Sequence, residues 1–188
     1  MHLRLTLVAS LAAAVLAVGP ATASAGTYDY LVAPMTQCGG AQQTDTSLST
    51  ATQESVMFCM HNYARKRAGR TAYRARSLLQ SSSDAKTADM IRCQSFSHTA
   101  CGREALYHVK RVGYTNCRSW SAGENIGWGS GSYGSVRAIM TRWVNSTGHR
   151  ANILNSRFRD FGVGLRKATF LGRSNAQVWT THLAYRSC

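Results

Sequence analysis

The stretch SAGENIGWGSGSYGSVRAIMTRWVNSTGHRANIL, residues 121–154, decides the fold. Its second half carries the clearest helix of the chain. Val136, Ile139, Met140, Trp143 and Val144 fall at i, i+3, i+4, i+7 and i+8, which lines up one apolar face. A polar break follows, and a short helical turn is expected over His149–Leu154. The first half, residues 121–134, reads as a Gly-rich loop. From Gly127 it superficially offers G-x-G-x-G-x-x-G. A dinucleotide fingerprint also needs a βαβ unit and an acid about 20 residues on. The next acid after Gly127 is Asp160, so the expectation is a flexible rim loop.

Downstream, Phe161, Val163 and Leu165 alternate, as do Val178, Thr180 and His182 against Trp179, Thr181 and Leu183. Both runs read as strands; strand character around Cys117–Ile126 is weaker. Upstream, Thr50 and Gln53 form a candidate capping box, with Val56, Met60, Tyr63 and Ala64 along the helix behind it and Gly69 at its end. A basic connector, Arg70 to Arg76, follows. A second helix is expected from about Leu78 to Ile91, with Leu78, Ala85, Ala88 and Ile91 facing inward. A third is expected over Arg103–Val112, stopped by Gly113. Helices first, then strands mixed with a helix, suggest an α+β fold with helices flanking a small antiparallel sheet.

Residues 1–25 have the form of an export signal rather than of structure. Arg4 and His2 make a short basic start, and Leu5–Val18 is an uncharged run of 14 residues. A membrane span needs about 20. Ala23-Ser24-Ala25 supplies a small-residue cleavage pattern, so the exported chain is expected to begin near Gly26. No later stretch is long and apolar enough to span a bilayer, and a secreted, extracellular protein of the cell envelope or medium is expected. Residues 26–49 look like an irregular N-terminal arm, and 50–188 like one domain. The chain has 22 Lys+Arg against 8 Asp+Glu, a formal net charge of +14. Such a chain meets anionic walls, lipid head groups, polysaccharides or free nucleic acid outside the cell. Its basic residues are scattered and follow no nucleic-acid motif, which argues against a dedicated nucleic-acid module.

Six cysteines in an oxidising compartment imply three disulfides among 15 pairings. The pairing expected is Cys38–Cys59, stapling a loose arm to the first helix; Cys93–Cys101, closing a short loop around His98; and Cys117–Cys188, pinning the C-terminus. No C-x-x-C occurs, so neither a zinc ribbon nor a thioredoxin-like site is supported. Among histidines, His98 stands just before Cys101, His149 after a polar break in a helix and His182 in the last strand, and Glu124 is conspicuous in an acid-poor chain. Imidazoles converging with a carboxylate suit zinc or acid–base chemistry. Their spacing includes no H-E-x-x-H pair, and by itself favours structural histidines. There is no G-x-S-x-G elbow to mark a serine nucleophile.

Five motifs occur in order: Phe96-Ser97-His98-Thr99, Gly113-Tyr114, Gly123-Glu124-Asn125-Ile126, then Trp143 followed by Ser146 and Gly148-His149-Arg150-Ala151-Asn152-Ile153-Leu154, and Phe161-Gly162-Val163-Gly164. In this order they resemble the bacterial SCP-like branch of the CAP superfamily, which comprises cysteine-rich secretory proteins, antigen 5 and plant pathogenesis-related proteins. The resemblance covers about residues 54–184. It implies an α-β-α sandwich with a cleft whose floor carries two histidines and two acids. His98, Glu124 and His149 match three of these four. No acid stands between Trp143 and His149, so the fourth is missing. The trio could form an open three-ligand zinc or other divalent-metal site completed by water, or a hydrogen-bonded cluster. Asn125 and Asn152 are expected to support it by hydrogen bonds to neighbouring backbone. A second departure is Asn62-Tyr63-Ala64-Arg65, where relatives have Asn-x-Glu-Arg, which removes a structural ion pair. The resemblance implies a secreted binding module, its ligand a lipid, an envelope polymer or a divalent metal. Two alternatives stand beside it: a metal-assisted hydrolase or peptidase with Glu124 as base, and a basic adhesive protein with an inert cleft.

Overall fold

The computed structural model describes residues 26–188; the expected export signal, residues 1–25, lies outside the described residues. Helices α1 (Thr50–Arg67), α2 (Ser77–Arg92), α3 (Tyr107–Arg111), α4 (Val136–Asn145) and α5 (Thr147–Leu154) surround four strands: β1 (Arg74–Ala75), β2 (Ser119–Ser130), β3 (Asp160–Phe170) and β4 (Arg173–Ser187). The sheet order is β1-β3-β4-β2. The three long strands are antiparallel, and the two-residue β1 joins β3 in parallel, so the sheet is mixed rather than wholly antiparallel.

One sheet face presents Phe161, Val163, Leu165, Trp179 and Leu183 to α1, α4, α5 and the N-terminal arm, and this is the main core. The apolar face read on α4 is buried there as expected. The other face meets α2 and α3 through smaller apolar clusters. The result is the α+β, helix–sheet–helix layering expected.

Several local expectations are corrected. The Gly-rich segment is not a loop: residues 119–130 are a strand paired with β4 along its whole length, from Ser119↔Ser187 to Ser130↔Ala176. Its glycines answer to close approach. A Cβ on Gly123 would lie 2.7 Å from the Asn152 side chain, and one on Gly129 would lie 2.5 Å from the Tyr133 backbone. Only Gly131–Gly134 leaves the strand, as a 3-10 turn.

The N-cap of α1 is Ser49, whose hydroxyl accepts from Thr52 N–H, and Gln53 instead turns back to the carbonyls of Thr46 and Leu48. Gly69, at φ +65°, ends that helix as read. The inward face of α2 is Leu79, Ser82, Ser83, Lys86, Thr87, Asp89 and Met90, not Leu78, Ala85, Ala88 and Ile91. The apolar pattern misleads here because α2 lies on the small and polar part of the sheet. A Cβ on Gly162 would stand 2.1 Å from the Leu79 backbone, and one on Gly164 2.6 Å from that of Ser83. Thr87 bonds Thr180, and Ser82 faces His182. The third helix keeps only Tyr107–Arg111 of the ten residues expected, because extended backbone at Arg103 carries its guanidinium to Asp89.

The N-terminal arm is packed, not loose. Leu31, Val32 and Ala33 are in the core, and Gln43 is buried between Pro34, Gln37 and Arg137. The three disulfides are those expected, Cys38–Cys59, Cys93–Cys101 and Cys117–Cys188. Arg65, without the family's glutamate, is fully buried. It donates to the carbonyls of Thr71, Ile153, Asn155 and Phe158, and its guanidinium lies 4.0 Å from the Tyr73 ring centre.

Candidate functional site

The site is built along β2, an outer strand of the sheet. Within β2, Glu124 stands directly across from His182 of β4, so the two side chains leave the same sheet face, toward α2. His182 Nε2 donates to Glu124 Oε2 at 2.9 Å. The loop after α2 brings His98 over the same carboxylate, with Nδ1 donating to Oε1 at 2.7 Å. Lys86 reaches up from α2, with its ammonium 3.7 Å from Oε1 and bonded to the carbonyls of Ser97 and His98. The lysine therefore ties the His98 loop to the carboxylate beneath it.

Burial would raise the Glu124 pKa, but the hydrogen bonds from His182 and His98 and the charge of Lys86 hold it below the ordinary value. Glu124 is ionised at neutral pH. Burial lowers the Lys86 pKa, against the opposing pull of Glu124 and Asp89. Beneath, His182 Nδ1 faces the hydroxyls of Ser82 (2.8 Å) and Ser83 (3.2 Å). This Ser–His–Glu chain has the order of a catalytic triad, yet Ser82, Ser83 and His182 are all 0% exposed. A nucleophile needs access to its substrate, so the chain acts as a scaffold.

His149 comes from the opposite layer. It opens toward the outer edge of β2 from α5, with Nδ1 bonded to Ser146 Oγ at 2.8 Å and its ring stacked on Trp143 at 6.3 Å between centres. Burial, and then the neighbouring His98 charge, push its pKa below the usual imidazole value. Asn125 donates to the His149 carbonyl, and Asn152 donates to Asn125 Oδ1 and to the Glu124 carbonyl. The two asparagines thus brace α5 against β2.

The trio is therefore divided. His98 and Glu124 are in contact; His149 faces the same cleft without touching the carboxylate. Both Glu124 oxygens are engaged by imidazoles, and among the described residues no three His, Cys, Asp or Glu side chains are grouped to hold a metal ion. A catalytic zinc takes three protein ligands.

Beside His149 a cleft of about 280 Å³ runs along the strand edge, lined among others by Phe96, Trp128, Trp143, Arg142 and Ser146. Three consecutive outer carbonyls of β2 are capped: Glu124 by Asn152, Ile126 by Trp143 Nε1, and Trp128 by Arg142. Exposed strand edges invite unwanted pairing, and such caps blunt them. The N–H and C=O of one strand residue leave on the same side. The amides of Ile126 and Trp128 consequently leave on the cleft side as donors.

Sequence reading missed Lys86 and the place of His182. The run Ser82, Ser83, Lys86, Thr87, Asp89 was the available signal, a polar stripe at helical spacing. The pairing of His182 with Glu124 had no local signal at all.

A profile of the CAP cysteine-rich secretory protein family matches residues 58–182. The chain belongs to this family. No curated protein matches it. Among solved structures, this CAP chain is similar to an extracellular protein containing a SCP domain from Bacillus anthracis. The identity is 22%, the TM-score 0.59, and the match covers 74% of this chain and 44% of that one. It is also similar to an outer surface protein from Borrelia burgdorferi, at 14% identity and TM-score 0.63, covering 74% and 97%. A third similarity is to a cysteine-rich secretory protein from Staphylococcus aureus, at 15% identity and TM-score 0.54, covering 73% and 40%. The match spans less than half of the Bacillus and Staphylococcus proteins, and at these identities the likeness shows the CAP fold alone.

Proposed function

We propose that this CAP domain is an exported binding module whose β2 cleft takes a glycan segment of an envelope polymer. The observation that carries the reading is the lining of the cleft. Phe96, 43% exposed, and Trp128 meet edge to face with centres 6.5 Å apart, next to the His149 imidazole and the Arg142 guanidinium. Flat apolar faces interleaved with polar groups suit a sugar ring, which has a C–H face and a polar rim. The free strand amides add donors for an acetamido carbonyl. The disulfides and the extracellular and outer-surface neighbours are consistent with export.

Hydrolysis gains no specific support, because Glu124 is 7% exposed and already carries two imidazole donors. The test is titration of the oxidised protein with β-1,4-linked N-acetylglucosamine oligomers and soluble peptidoglycan fragments, followed by tryptophan fluorescence. Binding should saturate, and should fall at least about tenfold in Trp128→Ala and His149→Ala, as expected for an anchor inside a cleft. Binding indifferent to both substitutions, or binding only to acyl lipids, would refute the reading. Zinc added in parallel would reveal whether the two imidazoles recruit a metal.

A further inference from the structure

At the opposite edge of the sheet, β1 carries a second constellation. Asp160, 1% exposed at the start of β3, receives Arg74 Nε at 2.7 Å and Arg76 Nε at 3.0 Å, both on Oδ1. Its Oδ2 accepts the Tyr114 hydroxyl at 2.7 Å. Arg186 of β4 lies over the Tyr114 ring, 4.7 Å from its centre. Two guanidinium groups thus share one buried carboxylate and a third lies on the tyrosine bonded to it, which leaves an excess of two positive charges. Among the described residues no other carboxylate pairs with any of the three.

Arg74 and Arg76 are anchored through Nε alone, so both Nη groups of each have no partner among the described residues. A guanidinium held at its inner nitrogen, with the outer fork open to solvent, is preorganised for an oxyanion. Asp160 offsets only one of the two guanidinium charges it holds, and the other stands uncompensated. Arg159 and Arg157 lie on the other sheet face: Arg159 donates to the carbonyls of Ser156 and Phe158, and Arg157 stacks over Tyr185, 4.8 Å from the ring centre, so neither belongs to this group. The surface is an open strand edge and not an enclosed hole, so it suits repeated anions better than a single ion.

We propose that Arg74, Arg76 and Arg186 form an oxyanion site at the β1 edge that takes a phosphate of a linear phosphate-bearing polymer. This site is separate from the β2 cleft and does not depend on what that cleft binds. Arg74→Gln leaves Asp160 with Arg76 and Tyr114, and Arg186 takes no part in the Asp160 pairing, so both substitutions keep the fold. Arg173→Gln, at the other end of β4, removes the same charge elsewhere.

The experiment measures binding of fluorescently labelled linear polyphosphate to the oxidised protein by anisotropy, across a salt series. Arg74→Gln and Arg186→Gln should each weaken binding about tenfold, as for loss of a charge-assisted contact. Their salt slopes should flatten by about one unit, while Arg173→Gln should change affinity about twofold or less. Equal losses in all three variants would reduce the effect to bulk charge and overturn the site. No loss in Arg74→Gln or Arg186→Gln would overturn it as well. Competition separates the sources. Displacement by orthophosphate at equal phosphate concentration would mean a single-anion site and refute the polymer. Arginine-dependent binding to phosphatidylglycerol vesicles without binding to polyphosphate would do the same.

Discussion

His61 makes stability depend on pH in a way that can be worked out in advance. The residue lies inside α1, fully buried, with Phe161, Trp143 and Tyr73 around its ring at 4.8, 5.8 and 6.5 Å between centres. Its Nδ1–H donates to the Met57 carbonyl at 2.9 Å, and Nε2 has no partner among the described residues. A second proton would put a charge against aromatic walls with nothing to accept it. Burial, helped by the charge of Arg65 and opposed by the Met57 bond, lowers the pKa from 6.5 to about 4. An unfolded chain takes this proton near pH 6.5, and the native state refuses it until about pH 4. Between those values the unfolded state holds more protons, so stability falls as pH falls. The contribution is intact above pH 6.5 and fully lost by about pH 4. At about 1.4 kcal/mol per unit, the loss reaches about 3 kcal/mol. The assay is urea unfolding with disulfides intact at pH 7, 6, 5 and 4, for the natural chain and for His61→Phe. The variant has no proton to gain there, and groups common to both chains cancel in the difference. The stability of the natural chain relative to the variant should drop by about 3 kcal/mol from pH 7 to pH 4. A difference constant within about 0.5 kcal/mol would refute the reasoning and mean that His61 is solvated or charged in the fold.

Two further outcomes follow from packing and charge. Glu124→Gln leaves the buried Lys86 ammonium without its carboxylate and should cost about 3 kcal/mol or more in urea unfolding. Adding Lys86→Met should return much of that loss, and an undiminished double variant would separate Lys86 from the network. Gly162→Ala would drive a Cβ to 2.1 Å from the Leu79 backbone, so α2 must lift off the sheet. Loss of the cooperative thermal transition, or a fall in Tm of about 10 °C or more, is expected, and a variant melting like the natural chain would contradict the close helix–sheet contact.

How much was legible depended on how local each signal was. The α4 stripe, the β3 and β4 alternations and the Gly69 stop depend on neighbours within one or two turns, and all were readable. The ordered motifs around His98, Glu124 and His149 pointed to the family and to the region of the cleft. The inward face of α2 was misread because serine and threonine are buried there against strand residues that lie 77–100 positions away, and Lys86 against Glu124 of β2. The glycines of residues 123–129 looked like flexibility, yet Gly123 and Gly127 answer to side chains of α5 and α4 pressed on the strand, and Gly129 to the backbone of the turn that follows it.

The sequence by itself determined the α+β class, the basic charge and an even set of six cysteines, since each rests on composition or periodicity, and its ordered motifs pointed through the family resemblance to His98, Glu124 and His149; which of the 15 cysteine pairings forms was left to the structure. Only the tertiary structure decided what those residues do to one another. Register puts His182 beside Glu124, Lys86 rises from α2 beneath the His98 loop, and His149 stands apart on α5. The same holds for the three arginines on Asp160 and Tyr114, which come from β1, its flank and the far end of β4. Such groupings are set by strand pairing and layer packing between distant segments, and no local pattern encodes them.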